Sequence, residues 1–225
     1  MSESVPIKKL EVKTAPSPLL FLKQTEIPHV RHSSGKEREH KVVKGDTLYG
    51  IAWRYDLDPE RLAQWNSIRN PDLILRAEKI RLTEPYPIKE KNQKAVQGGK
   101  EIVKKKIAWV HPYKITDMNS HTSNGKNIKY LGVFGDVVRA AADGLVVYSG
   151  SGLRAYGELV IIKHDNETMS AYAHNSERFV TEGDYIKVGG EIGRMGKTAA
   201  GKTLLHFEIR VRGRPVDPTN FLPPI

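Results

Sequence analysis

The chain has 225 residues, no cysteine, and 36 Lys plus Arg against 26 Asp plus Glu, for a formal net charge of +10. The length suits one or two modest domains with a tail. The missing cysteine excludes disulfides, thiolate metal sites and a cysteine nucleophile, and the charge favours an anionic partner: nucleic acid, acidic headgroups or an acidic wall polymer. No apolar run reaches transmembrane length, PLLFL at 18–22 being far too short. The opening MSESVPIKKL has no hydrophobic secretory core. The expectation is therefore either a cytosolic chain or one numbered after a removed targeting segment. No arginine-rich recognition helix or aromatic–basic interleaving appears, so nucleic acid is not the expected partner.

Residues 1–39 mix Pro, Ser, Lys, Glu and His without periodicity and read as a flexible tail. Residues 40–83 form a first compact segment. HKVV alternates as a short strand and GD turns the chain. Asp46 is expected to N-cap the helix TLYGIAWRY, whose Leu48, Ile51, Ala52 and Tyr55 share one face. Asp58 and Pro59 start a second helix, PERLAQWN, with Pro at its first position, and EKIRL closes as a strand. Residues 84–106, rich in Lys and Gly, read as a basic linker. From 107 to 225 short runs such as GLVVYSG, ELVIIKH and LLHFEIRVRGRPV carry Val, Ile, Tyr and Phe between Gly, Asn or Asp breaks. That pattern predicts a mostly antiparallel β domain, so the whole is a multidomain chain: a small β-α-α-β unit followed by a β domain.

The first segment, through Gly45-Asp46-Thr47-Leu48, Ile51-Ala52, Leu62, Asn66, Pro71, Ile74 and Ile80, resembles the LysM domain, a binder of N-acetylglucosamine polymers such as peptidoglycan. It departs from that pattern at His40, where an aromatic residue is usual, and at Ala77-Glu78, where Gly-Gln is usual. The resemblance implies a peptidoglycan site between two loops: Gly45, Asp46, Thr47 and Leu48 facing Asn70, Pro71, Asp72, Leu73 and Ile74.

The second segment, through GDVVRAAADGLVVYSG, YGELVIIKH, SAYAHN, VTEGDYIKVGGEIGRMG and LHFEIRVRGRPVDPTNFLP, resembles the LytM or lysostaphin-type zinc endopeptidases. In active members a His-x-x-x-Asp pair and the second His of His-x-His hold the metal. Two further histidines serve the water and the transition state. Here His206 matches the retained metal ligand and His174 a catalytic histidine. Gly125 stands in the place of the ligand histidine, Lys129 of the aspartate, and Leu204 of the other catalytic histidine. Zinc needs about three protein ligands besides its water, and a lysine repels a dication. Read without the alignment, none of the histidines at 29, 32, 40, 111, 121, 164, 174 and 206 has Asp four residues later, and no two are spaced His-x-His. The expectation is a degenerate domain with no catalytic residue, no metal and no cofactor, its His111, His121 and His164 structural or on the surface.

A LysM segment before a degenerate LytM segment, with the turn Gly152-Leu153-Arg154-Ala155-Tyr156-Gly157, resembles the NlpD-like murein hydrolase activators. That resemblance implies a non-catalytic envelope protein. It would bind peptidoglycan and activate a periplasmic N-acetylmuramoyl-L-alanine amidase by displacing an autoinhibitory helix, for septal murein cleavage and daughter-cell separation. The expected partner groove is lined by Lys129, Arg154, Tyr156, Tyr172, His174, Leu204 and His206, with Leu204 as its floor and Lys129 and Arg154 on its rim. The alternatives are an active zinc murein endopeptidase with a non-standard ligand set and a passive wall-binding module. The implied location is the periplasm, with outer-membrane association if a lipid anchor lies upstream, since the chain itself holds no lipobox cysteine.

Overall fold

The computed structural model describes residues 39–70, 74–84, 107–115 and 120–224. The tail at 1–38 and most of the linker, 85–106, lie outside the described residues. The first unit runs β1 (Glu39–Lys41), α1 (Leu48–Arg54), α2 (Pro59–Trp65) and β2 (Lys79–Arg81), with β1 and β2 antiparallel. Leu48, Ile51, Ala52, Leu62 and Ile80 make its core. Asp58 caps α2 as expected, accepting from the amides of Glu60 and Arg61.

The cap of α1 differs from expectation. It is Thr47, not Asp46, whose side chain accepts from the Gly50 amide. Asp46 is drawn instead to His40 Nε2 at 2.8 Å and to the Val43 amide at 2.9 Å. Burial works against its charge, but those bonds and the nearby His40 and Arg54 outweigh it and hold the carboxyl below its usual range. His40 thus replaces the usual aromatic with a buried polar pairing, closed on its other side by Tyr55 Oη at 3.1 Å. Ala77 adopts a left-handed φ of +70°, the conformation that suits the glycine usual at that turn.

The second unit is a sheet built from β3 (His121–Ser123), β4 (Ile128–Leu131), β5 (Val137–Arg139), β6 (Gly144–Gly150), β7 (Glu158–Lys163), β8 (Thr168–Arg178), β9 (Tyr185–Ile186), β10 (Glu191–Met195), β11 (Leu204–Val211) and β12 (Arg214–Val216). Its main path is β3-β4-β11-β8-β7-β6-β9, and every pairing is antiparallel. Side chains alternate along β11. Leu205, Phe207 and Ile209 enter the main core with Tyr130, Val160, Ile162 and Tyr172. Leu204, His206, Glu208 and Arg210 point to the other face, opposite Ala173 and Ala171 of β8 and Lys129 of β4. No helix among the described residues is long and apolar enough to cross a membrane.

The two units pack directly on one another. Helix α1 is apolar on both sides: Leu48, Ile51 and Ala52 face the small core, while Tyr49 and Trp53 join Val147, Tyr148, Leu153, Tyr156, Leu159 and Ile161 on the sheet. Close approach is possible because position 50 is glycine; a Cβ there would sit 2.9 Å from the Tyr148 ring. The seam is stitched by Arg54 Nη2 to Gly152 O at 3.2 Å and by Lys163, which reaches Glu60 at 3.6 Å.

Candidate functional site

The chemistry-bearing residues converge on the second face of β11. A bulge between Glu158 and Val160 interrupts the β7–β8 ladder, and opposite it His174 takes φ +64°. A left-handed non-glycine residue here is a local cost of order 1 kcal/mol. It is held by the His174 amide donating to Tyr156 O and by the Gly196 amide donating to His174 O. In this conformation the His174 ring lies 6.2 Å, centroid to centroid, from His206, and Tyr156 stands edge-on to His206 at 5.9 Å. Lys129 is the direct cross-strand partner of His206 and is only 6% exposed. Its charge reaches His174: burial first, then His206 and Lys129, lower the His174 pKa to about 4.

That shift carries a pH consequence. In the unfolded chain His174 titrates near 6.5. Below that pH the unfolded state takes a proton that the folded state refuses until about pH 4. Stability therefore falls as the pH drops from about 6.5 to about 4, by on the order of 3 kcal/mol for this one residue. His174→Asn, which keeps a side chain tolerant of positive φ, is expected to flatten this part of a urea-denaturation pH profile. His111 and His164, also lowered by burial, remain in both proteins.

A buried polar chain continues from His206 along the strand. His206 Nε2 donates to Glu208 Oε1 at 2.8 Å, and Arg210 Nε donates to Glu208 Oε2 at 3.2 Å. Tyr156 Oη donates to Glu208 and accepts from Arg210 Nη2, both at 3.2 Å. Arg210 Nη1 then crosses the seam to Trp53 O and Asp56 Oδ1, each at 2.8 Å, with its guanidinium 3.8 Å above the Trp53 ring. Burial opposes the guanidinium charge, but Glu208, Tyr156 and Asp56 more than offset it and raise the Arg210 pKa. Glu208, Arg210, Trp53 and Asp56 were not among the expected site residues. The alternation His206-Phe207-Glu208-Ile209-Arg210 was the available signal, since it places three polar groups on one face of a strand.

The expected open groove needs correction: Tyr156, His174 and His206 are buried, as are Tyr172, Leu204 and Lys129. Tyr172 is fully buried on the opposite face of the sheet, its hydroxyl accepting from the Ala141 amide, because it pairs with Phe207 and not with His206. Leu204 is 1% exposed, so it is a sealed wall and not an open floor. Lys129 is buried and not on a rim. Arg154 is exposed, but it lines a cavity of about 560 Å³ at the seam with Trp53, Arg54, Asp56, Tyr156 and Arg210. Tyr156 and Arg210 both line this cavity and belong to the polar chain that starts at His206. At the opposite end, just past β4, Val133 and Phe134 are 69% and 58% exposed.

These donors do not fit zinc. His206 offers one buried nitrogen without a protein hydrogen bond, Nδ1, and its other nitrogen is taken by Glu208. Lys129 faces it where an acidic ligand would be required, and Leu204 adds no donor. Gly125 lies at φ +77° in the turn between β3 and β4, where a Cβ would find only Asp217 Oδ2, at 3.9 Å. Among the described residues no cluster of three or more His, Cys, Asp or Glu is placed to hold a metal. Of the remaining histidines, His111 bonds Tyr130 Oη and Pro223 O, and His164 bonds Asp143 O and Ser170.

In the first unit Gly45 and Asn70 are exposed, and Thr47 and Ile74 are half-buried. Leu48 is buried in the small core, so its side chain is not offered to a sugar. Pro71, Asp72 and Leu73 lie outside the described residues.

Fold and site together define a LysM unit joined to a peptidase-type β sheet. Residues 40–79 match the LysM domain and residues 123–218 match Peptidase family M23. A lipoprotein NlpD/LppB homolog of Pseudomonas aeruginosa is 36% identical over 228 residues, covering 82% of this chain and 77% of that one. The chain belongs to the NlpD/LppB family. The uncharacterized lipoprotein YgeR of Escherichia coli is 32% identical over 82% of this chain and 81% of its own length. The murein hydrolase activator NlpD of Escherichia coli is 43% identical over 116 residues, 51% of this chain and 31% of that one. The catalytic domain of lysostaphin from Staphylococcus simulans aligns over 50% of this chain and 87% of its own, at 26% identity and a TM-score of 0.40.

Proposed function

We propose that this chain is a non-hydrolytic murein hydrolase activator of the cell envelope. In this reading residues 40–83 hold peptidoglycan through Gly45, Asp46, Thr47 and the 70–74 loop. Residues 107–225 engage a periplasmic N-acetylmuramoyl-L-alanine amidase and free its active site during septal cleavage and daughter-cell separation. The observation that supports it is the register pairing buried Lys129 with His206: in this reading position 129 answers to the metal-binding carboxylate of the peptidases, and a lysine there cannot hold zinc. Relatives named murein hydrolase activators and lipoproteins support the same role and an envelope location.

The amidase-facing surface in this reading carries the exposed Phe134, Val133 and Arg154, while His174 and Tyr156 are buried and not offered to the partner. Exposed aromatic and aliphatic side chains flanked by cations suit an amphipathic helix with acidic residues.

The test is dye release from labelled murein sacculi. The chain alone is expected to release nothing, and to accelerate release when an envelope amidase is added. Chelator-sensitive release by the chain alone would overturn the proposal. Leu204→His restores one side chain of the peptidase pattern but leaves Gly125 and Lys129 in place of its histidine and aspartate. It is expected to yield no hydrolysis and no zinc in elemental analysis.

A further inference from the structure

We infer that the murein glycan is held between the two units, with the β sheet of the second unit forming one wall of the site. This rests on the reading that the LysM unit binds peptidoglycan, and adds to it a surface outside the LysM fold. A crevice of about 330 Å³ opens between Asp46, Thr47 and Ile74 on one side and Leu145, Val147 and Glu182 on the other. Asp46, Thr47 and Ile74 therefore face the edge of β6 and the turn before β9.

The sheet side is shaped for this. The β6–β7 ladder shifts register between Val146 and Tyr148, and the Val147 carbonyl turns across the seam to accept from Thr47 Oγ1 at 3.3 Å. Leu145, 40% exposed, and half-buried Ile74 supply apolar surface from opposite units. Glu182 is anchored through one oxygen to the Ser149 amide at 2.7 Å. Gly183, left-handed at φ +95°, has nothing within 4 Å of its Cβ direction, so the wall is open there.

Apolar patches for a pyranose face, with carboxylate and carbonyl acceptors for hydroxyl and acetamido N–H donors, are the chemistry of an N-acetylated glycan. The wide apolar contact of Tyr49 and Trp53 with the sheet holds both walls in place before any sugar arrives. That removes part of the ordering cost of binding.

The experiment is a calorimetric titration of the full chain with an N-acetylglucosamine oligosaccharide, alongside amide chemical-shift mapping. Leu145→Arg pushes a long charged side chain into the crevice while leaving the LysM loops intact; it is expected to weaken binding at least ~10-fold. Glu182→Gln is expected to weaken it by about 3–10-fold. In the unaltered chain, shifts are expected at Leu145, Val147 and Gly183 as well as at Thr47. If the unaltered chain binds no oligosaccharide, the peptidoglycan reading itself fails, and this inference with it. If it binds, but neither variant changes affinity and shifts stay within residues 39–84, the shared wall is refuted while the LysM reading stands. Tighter binding in either variant would mean that the units separate to admit the glycan, and also refutes the shared wall. Should Leu145→Arg unfold, Glu182→Gln and the shift map of the unaltered chain decide.

Discussion

Arg210→Met is expected to cost about 3–5 kcal/mol of folding stability. Methionine fills much of the arginine's volume, so the loss comes from charge and not from a void. Glu208 is fully buried, and Arg210 is the positive partner that touches its second oxygen. Without it the buried carboxylate loses that positive partner, while His206 and Tyr156 still donate to it. Asp56→Asn, at the exposed end of the same chain, removes a partner that is 27% solvent-accessible. It is expected to cost under about 1 kcal/mol. Urea melts of the two variants separate the cases: a loss below 1 kcal/mol for Arg210→Met would mean that Glu208 finds compensation elsewhere.

Gly213→Ala is expected to cost about 2–4 kcal/mol and to loosen the seam. Gly213 sits at φ +76° in the turn joining β11 to β12. A left-handed alanine there costs on the order of 1 kcal/mol. The larger part is steric, because the added Cβ would lie 2.2 Å from Leu57 O and 2.3 Å from Leu57 C. Both are backbone atoms and cannot rotate aside, so the units must move apart. The Trp53 ring reports that movement: it is 1% exposed in the docked state, and its fluorescence should shift to longer wavelength. An unshifted spectrum with a loss of only about 1 kcal/mol would show that the turn relaxes without disturbing the seam.

The local grammar of both units is readable along the chain. Asp58-Pro59 announces α2, and the Gly- and Asp-punctuated apolar runs announce the strands. The misread cap of α1 is a contest between neighbours: Asp46 and Thr47 are both good caps, and His40, six residues upstream, draws Asp46 away. Strand alternation would have placed Tyr172 correctly only if its register against Phe207 were known, and register is a tertiary property. The docking of the units had a local trace in LYGIAW, which is apolar all round where a surface helix shows one stripe. Which surface covers Tyr49 and Trp53 depends on contacts about a hundred residues away, beyond the reach of any window along the chain.

The apolar second side of α1 has a practical corollary for dissecting this protein into pieces. Expressed without residues 39–84, the sheet would present Val147, Leu153, Tyr156 and their neighbours to water, together with an Arg210 stripped of Trp53 and Asp56. Stickiness, self-association or amidase stimulation measured on such a fragment would belong partly to that raw surface. Fragments should therefore be compared with full-length variants in which the seam is weakened by single substitutions, so that gain of activity by exposure and gain by truncation are told apart.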